Sequence, residues 1–336
     1  MPKKRGNVTI AEIAADAGVS LATVSRVINR KDGIRGSTSS RVIASMNRLG
    51  YSLPEELKNS SSGNGLILFN IPSLNNPFYE EIIMGAKSSA ARYGYHLLIN
   101  KEHINRNTIQ GIIDLVRRTR AAGIITANQV PTGVLQKLSR CTTVVQCCEF
   151  NQSVDLPYVT IDDASAAEDV IDYLFSAGKR RIALINGPEP YKYARCRLIG
   201  YESAFKKAGV PIDQGLMVQL PSLSYDLAVS ACMQLLNSGN PPDSFFTCSD
   251  IYAAAAVRAS HLSGYRVPQD IMVTGFDNVQ LSAMVIPSIT TVNQPKVQLG
   301  AMACELLMEK IADPESPNRK VVLKTELIIR ESTLSV

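Results

Sequence analysis

The chain has 336 residues, 45% of them apolar and 19% charged, which suits about two domains with sizeable cores and excludes a disordered polyelectrolyte. Its net charge of +5 is unevenly spread. Residues 1–50 hold nine basic and three acidic side chains, whereas the other 286 residues hold 26 and 27. A basic head on a near-neutral body is the electrostatic footprint of a polyanion-binding segment.

Residues 9–28 read as a helix-turn-helix. Thr9, with Glu12 three places on, forms a capping box, and Ile10, Ile13, Ala14 and Ala17 form an apolar stripe at helical spacing. Gly18 supplies the sharp turn, because it tolerates positive φ. Ser20 then caps a second helix whose inner face is Val24, Val27 and Ile28. Ala14 is small enough to let the two helices cross closely, as a DNA-reading pair requires. A third helix fits 37–49, with Val42, Ile43, Met46 and Leu49 on its buried side and Gly50 as its stop. Residues 51–64, rich in Ser, Asn and Glu, form a polar linker.

Beyond the linker the pattern changes to short apolar runs alternating with amphipathic stretches. Strands are predicted at 66–71, 96–100, 123–126, 143–147, 181–186, 244–247 and 271–276. Helices are predicted at 78–93, 105–121, 164–177, 196–208, 225–237 and 251–263. This alternation means βαβ units with parallel sheets, and about 270 residues of it suit two doubly wound lobes better than one. Sheets of this kind bind ligands beyond the carboxyl ends of their strands, an edge that two lobes turn into a cleft.

The seven cysteines lack CxxC spacing and read as buried free thiols of a reducing compartment. Three scattered histidines offer neither a metal cluster nor a catalytic set, and neither metal nor cofactor is expected. Lys3, Lys4 and Arg5 are not followed by the apolar region of a signal peptide, and no apolar run reaches the roughly 18 residues of a membrane span. A cytoplasmic protein is expected, without a membrane partner.

Five stretches resemble the lactose/galactose repressor family of bacterial transcription regulators across nearly the whole chain. They are Val-Ser-Leu-Ala-Thr-Val-Ser-Arg-Val-Ile-Asn (19–29), Asn-Pro-Phe-Tyr (76–79), Arg-Leu-Ile-Gly-Tyr (197–201), Thr-Gly-Phe-Asp-Asn (274–278) and Thr-Thr-Val-Asn-Gln-Pro (290–295). The resemblance implies an α/β body of periplasmic-binding-protein type behind a small all-α head. It places the head at 1–50, the hinge at 51–64 and the effector-binding and dimerisation core at 65–336. Lobe 1 would take about 65–161 and 292–324, and lobe 2 about 162–291 and 325–336.

It also implies a homodimer on a near-palindromic operator, with Leu21, Ala22 and Arg26 facing base edges and Thr9, Thr23, Ser25 and Asn29 positioning phosphates. No leucine-heptad tail follows Val336, so a dimer rather than a tetramer is expected. The hinge departs from the family pattern. Leu53-Pro54 follows Tyr51, no alanine appears, Ser60 stands at the wedge position, and Glu55 and Glu56 would lie beside phosphates. A flexible tether that barely kinks DNA is expected. For a small hydroxyl-rich effector, a sugar or a nucleoside, the resemblance brings Phe78 from one lobe, Arg197, Ser249 and Asp277 from the other, and Gln294 from the crossover, and Glu149, near a strand end, is a further candidate. The aromatic often found before the helix at Tyr225 is replaced by Leu223, and Tyr191 or Tyr193 is the candidate substitute.

Two other functions share this architecture. A transporter's solute-binding protein has no use for a helix-turn-helix. A nucleotide-dependent enzyme needs a glycine-rich phosphate loop, and neither G-x-G-x-x-G after the first strand nor G-x-x-x-x-G-K-[ST] occurs.

Overall fold

A computed structural model describes residues 8–28, 36–49, 51 and 65–334. They fall into two compact units, Met1–Gly63 and Asn64–Val336. In the first, helices α1 (Ile10–Ala17), α2 (Leu21–Ile28) and α3 (Gly36–Leu49) enclose a small core of Ile13, Ala14, Ala17, Val24 and Val42. Both halves of the capping box form: the Thr9 hydroxyl and amide donate to Glu12 Oε2 (2.9 and 2.7 Å), and the Glu12 amide donates back to Thr9 Oγ1 (3.4 Å). Gly18 takes φ 63°, and Ser20 Oγ accepts the Thr23 amide (3.1 Å).

Two expectations for the head need correction. Ile10 is 38% exposed and stands outside the apolar cluster of the head among the described residues, at the start of α1, while Ile13, Ala14 and Ala17 of the same stripe are buried. Part of the basic charge is structural: Arg41 Nη2 donates to the Ala17 and Gly18 carbonyls (2.8 and 3.0 Å), closing the end of α1, and Arg48 pairs with Asp16 (3.3 Å).

The second unit holds two six-stranded sheets. The first contains β1 (Gly65–Asn70), β2 (Tyr95–Asn100), β3 (Gly123–Thr126), β4 (Thr143–Cys147), β5 (Tyr158–Ile161) and β11 (Lys320–Leu323), in the order β11-β5-β4-β3-β1-β2 and all parallel. The second contains β6 (Ile182–Asn186), β7 (Met217–Gln219), β8 (Ser244–Thr247), β9 (Met272–Asp277), β10 (Thr290–Asn293) and β12 (Glu326–Ile328). Its order is β12-β10-β9-β8-β6-β7, with only β12 antiparallel. The chain changes sheet three times, after β5, after β10 and after β11.

Helices α4 (Phe78–Arg92), α5 (Ile109–Thr119), α6 (Thr132–Ser139) and α12 (Lys296–Ala312) accompany the first sheet. Helices α7 (Asp163–Ser176), α8 (Lys192–Ala208), α9 (Tyr225–Leu236), α10 (Asp250–Leu262) and the single turn α11 (Leu281–Met284) accompany the second. Gly85 and Gly300 set the crossing of α4 and α12: a Cβ on Gly85 would strike the Val297 carbonyl, and one on Gly300 the Ile82 carbonyl.

Burial explains the strands that sequence reading misses. β5, β7, β10, β11 and β12 are three or four residues long. β7, β11 and β12 are partly exposed edge strands without the continuous apolar run that marks the equally short β3 and β8. In β5 and β10, threonine and other polar side chains interrupt that run. The cysteines are all free, as expected, but Cys141 is exposed and Cys148 and Cys196 are half-buried. Among the described residues no helix is long and apolar enough to cross a membrane.

Candidate functional site: an exposed helix and an interlobe cavity

On the head, α2 presents Leu21 (56% exposed), Ala22, Ser25 and Arg26 to solvent. Thr23 is half-buried, with its hydroxyl against Ser20 Oγ (2.8 Å). Thr9 is exposed, and its hydroxyl and amide are both engaged by Glu12. Asn29 and the hinge, with Glu55, Glu56, Leu57 and Ser60, lie outside the described residues.

In the body, the carboxyl ends of the strands of both sheets border a cavity of about 550 Å³. Phe78, Glu149, Arg197, Ser249, Asp277 and Gln294 all line it. Tyr191, Tyr193 and Leu223 do too, and the two tyrosine rings lie 5.5 Å apart and tilted, which gives the lining an aromatic wall. Phe78 faces inward from the start of α4, edge-on to Tyr79 at 5.2 Å. The exposed His103 lines the cavity as well, where the sequence offered no reason to place it.

The charged side chains form one network. Arg197, 4% exposed, donates from Nε to Asp163 Oδ1 (2.9 Å) and from Nη1 to the Cys248 carbonyl, and its Nη2 lies 2.8 Å from the same Asp163 oxygen. Its guanidinium is packed between the rings of Phe276 (3.4 Å to the centroid) and Tyr193 (5.0 Å). Lys192 Nζ donates to Asp163 Oδ2 (2.6 Å) and Thr160 Oγ1 (2.8 Å). Burial acts to raise the Asp163 carboxyl, but Arg197 and Lys192 outweigh it and hold the group below the usual aspartate range. Asp163 was invisible to motif reading, since an acid in the first turn of a helix is ordinary. Its only signal is position, at the carboxyl end of β5.

Glu149, from the loop after β4, reaches across the cavity. Its two oxygens accept the backbone N–H groups of Lys192 (2.7 Å) and Tyr193 (3.1 Å), in the first turn of α8. A carboxylate from the first sheet's side thereby satisfies orphan donors of a helix from the second. Burial is the largest influence on Glu149 and raises its pKa, against the opposing pull of Lys192.

Asp277 ends β9 with φ 106°, and Asn278 follows at φ 49°. Two consecutive non-glycine residues at positive φ are strained and persist only where neighbours over-determine them. Here Gln294 Nε2 donates to Asp277 Oδ1 (2.7 Å), and Lys296 Nζ donates to the Asp277 and Asn278 carbonyls (2.7 and 3.0 Å). Arg330 Nη2 fixes Asn278 Oδ1 (2.7 Å). Arg197 Nη1 stands 3.7 Å from Asp277 Oδ1, while Oδ2 has no hydrogen-bond partner among the described residues. Burial pushes the Asp277 carboxyl up to about 6, against the pull of Arg197 and Lys296. Ser249 Oγ accepts the Tyr252 amide (3.3 Å) as N-cap of α10, which leaves its proton available to the cavity.

An exposed second helix in a helix-turn-helix, followed by a two-sheet body closing on a cavity, defines a ligand-responsive DNA-binding regulator. Residues 9–53 match the model of the bacterial regulatory proteins of the lacI family, and residues 171–333 match a periplasmic binding protein-like domain. The chain is 31% identical to the HTH-type transcriptional repressor CytR of Escherichia coli K12 over 335 residues, covering 98% of each. It is 30% identical to catabolite control protein A of Priestia megaterium, covering 97% of this chain and 99% of that one. The solved complex of the transcriptional regulator CelR with cellobiose is 27% identical, with a TM-score of 0.71, covering 97% of this chain and 100% of that one. The chain belongs to the LacI family, and it is a DNA-binding transcriptional regulator whose body is an effector-binding module.

Proposed function

We propose that this regulator is a cytoplasmic homodimeric repressor whose effector is a neutral, ring-bearing polyol, a nucleoside or a sugar, held in the cavity between the sheets. The observation that carries the reading is Asp277: a buried carboxylate with one unshared oxygen, fixed at positive φ from several sides and bordered by aromatic rings. A carboxylate oxygen accepts hydroxyl protons, Ser249 donates one, and Phe78, Tyr191 and Tyr193 pack a flat ring face. The lining holds Glu149, Asp163 and Asp277, while the Lys192 ammonium and the Arg197 guanidinium are both engaged with Asp163. A phosphorylated ligand would add negative charge beside Asp277, and among the described lining residues the Arg197 guanidinium is already held by Asp163.

On this reading the site binds and does not turn over its ligand. Leu21, Ala22 and Arg26 read bases, while Thr23, Ser25 and Asn29 meet phosphates; Thr9 takes that role only by releasing Glu12. A ligand that bridges Phe78 and Asp277 favours the arrangement in which Glu149 also caps α8, and operator affinity follows from the difference in ligand affinity between arrangements. By their resemblance to the cytidine repressor, the stretches Cys-Glu-Phe (148–150), Asn-Gly-Pro-Glu (186–189), Cys-Ser-Asp (248–250) and Glu-Leu-Ile-Ile-Arg (326–330) favour the nucleoside branch over the sugar branch, of which the CelR–cellobiose complex is an example.

A thermal-shift screen against nucleosides, monosaccharides, disaccharides and the phosphate esters of each tests the reading. A ligand at a hundred times its dissociation constant adds about 2.7 kcal/mol of stability. A neutral hit that Asp277→Asn abolishes supports it. A hit confined to the phosphate esters, or turnover of the bound ligand, overturns it.

A further inference from the structure

Between Asp114 and Glu149 the chain carries five basic side chains, Arg117, Arg118, Arg120, Lys137 and Arg140, and no acidic one. In a body of nearly balanced charge this is a local excess, and the fold gathers it at one edge. Arg117 and Arg118 occupy the last turn of α5, Arg120 caps that helix at φ 51°, and Lys137 and Arg140 close α6. Both helices lead back to the amino ends of neighbouring strands, β3 and β4, which run side by side from Gly123 and Thr143. The Ala122 amide donates to the Leu66 carbonyl (2.7 Å), so this edge is also where the chain enters β1 from the linker. The effector cavity lies at the opposite, carboxyl edge.

All five cations are exposed, and none forms an ion pair among the described residues. Cations at helix carboxyl ends favour the helix dipole, which accounts for one or two of them but not for five without an acid. A protein partner normally anchors on exposed aromatic or aliphatic groups; no large apolar side chain between residues 94 and 198 is exposed, and the exposed Tyr93 sits just before β2, separated from β3 and β4 by β1. A face of guanidinium and ammonium groups without apolar anchors suits phosphodiester oxygens.

We propose that this edge of the first lobe is a second, sequence-independent DNA contact, which grips the backbone of duplex flanking the operator. The linker ties this edge to the head that holds the operator, so flanking duplex is delivered to it at high effective concentration.

The test is the salt dependence of binding by the full-length protein to an operator obtained by in vitro selection. One duplex just covers the operator, and another extends it by about two helical turns on each side. Each phosphate contact adds about 0.9 to the log–log salt slope, so three contacts add about a 40-fold loss over a fourfold rise in salt on the longer duplex alone. Replacing Arg117, Arg118 and Arg120 by glutamine should erase that difference and leave the short duplex unchanged. Lys137→Gln with Arg140→Gln provides an independent pair should the triple variant melt early. Equal slopes for the two duplexes in the unmodified protein, as a merely solvated face or one kept for an acidic protein would give, overturn the proposal. So does a variant that weakens both duplexes alike.

Discussion

On the head, Leu21, Ala22 and Arg26 stand in solvent, outside the core formed by Ile13, Ala14, Ala17, Val24 and Val42 among the described residues. In the cavity, Arg197, Lys192, Glu149 and Asp163 are buried and already satisfied by one another or by backbone. The two surfaces therefore bear different costs. A head side chain can be exchanged with little harm to the fold, so its contribution appears only when DNA is present. A cavity side chain contributes to the body's stability whether or not a ligand is bound, because removing one partner leaves the other charge buried and unpaired.

The substitution with the largest expected effect is Arg197→Ala, which strips Asp163 and Asp277 of their guanidinium and should cost about 3–5 kcal/mol in denaturant unfolding of the body. A loss below about 1 kcal/mol, the range of an exposed pair, would erase the contrast between cavity and head. Arg26→Ala should leave unfolding unchanged and cost about 1–3 kcal/mol of discrimination at one operator base pair, measured by competition with singly substituted operators. Uniform weakening across all those operators would make Arg26 a phosphate contact instead.

Ligand affinity should depend on pH through Asp277. Its carboxyl is pushed up to about 6 by burial, so the hydroxyl-accepting form dominates above that value and is lost as pH falls through it. Calorimetric titration of the screen's hit should show up to about tenfold weaker binding per unit below pH 6, and an affinity that stays flat from about pH 7 down to 5 would contradict the role of Asp277. Without ligand the sign reverses. The folded body holds a proton that the unfolded chain has released, so this group reduces stability as pH rises from the ordinary aspartate value toward 6. The smallest effect is Thr9→Ala, which breaks the capping box of α1 and should cost the head about 1 kcal/mol by thermal melting.

Much of this was legible in the sequence, for reasons that differ between the two regions. Thr9, Glu12, Gly18 and Ser20 act within three or four residues of themselves, so their spacing alone fixes the turn of the head. The alternation of apolar runs and helices pointed to the two-lobed body. Of the cavity residues, Phe78, Arg197, Asp277 and Gln294 fall within the five family stretches and Glu149 and Ser249 outside them, and the structure brings all six around one space. Their partners were not legible. Asp163, Lys192 and Thr160 carry no motif, and they meet Arg197 and Glu149 only because the chain changes sheets after β5. Helix α12 escaped because both its sides are apolar, one toward α4 and the other toward the first sheet, which removes the polar face that marks an amphipathic helix. The left-handed turn at Asp277 and Asn278 depends on Gln294, Lys296 and Arg330, 17 to 52 residues away along the chain.

The central claim is that the cavity and the exposed helix belong to one switch. It is tested most directly by measuring operator affinity of the full-length protein with and without the neutral ligand identified by thermal shift, in the unmodified chain and in Asp277→Asn. The account expects the ligand to change affinity by about 5- to 150-fold in the unmodified chain and to leave the variant unmoved. A ligand that binds the cavity tightly yet leaves operator affinity unchanged would contradict it.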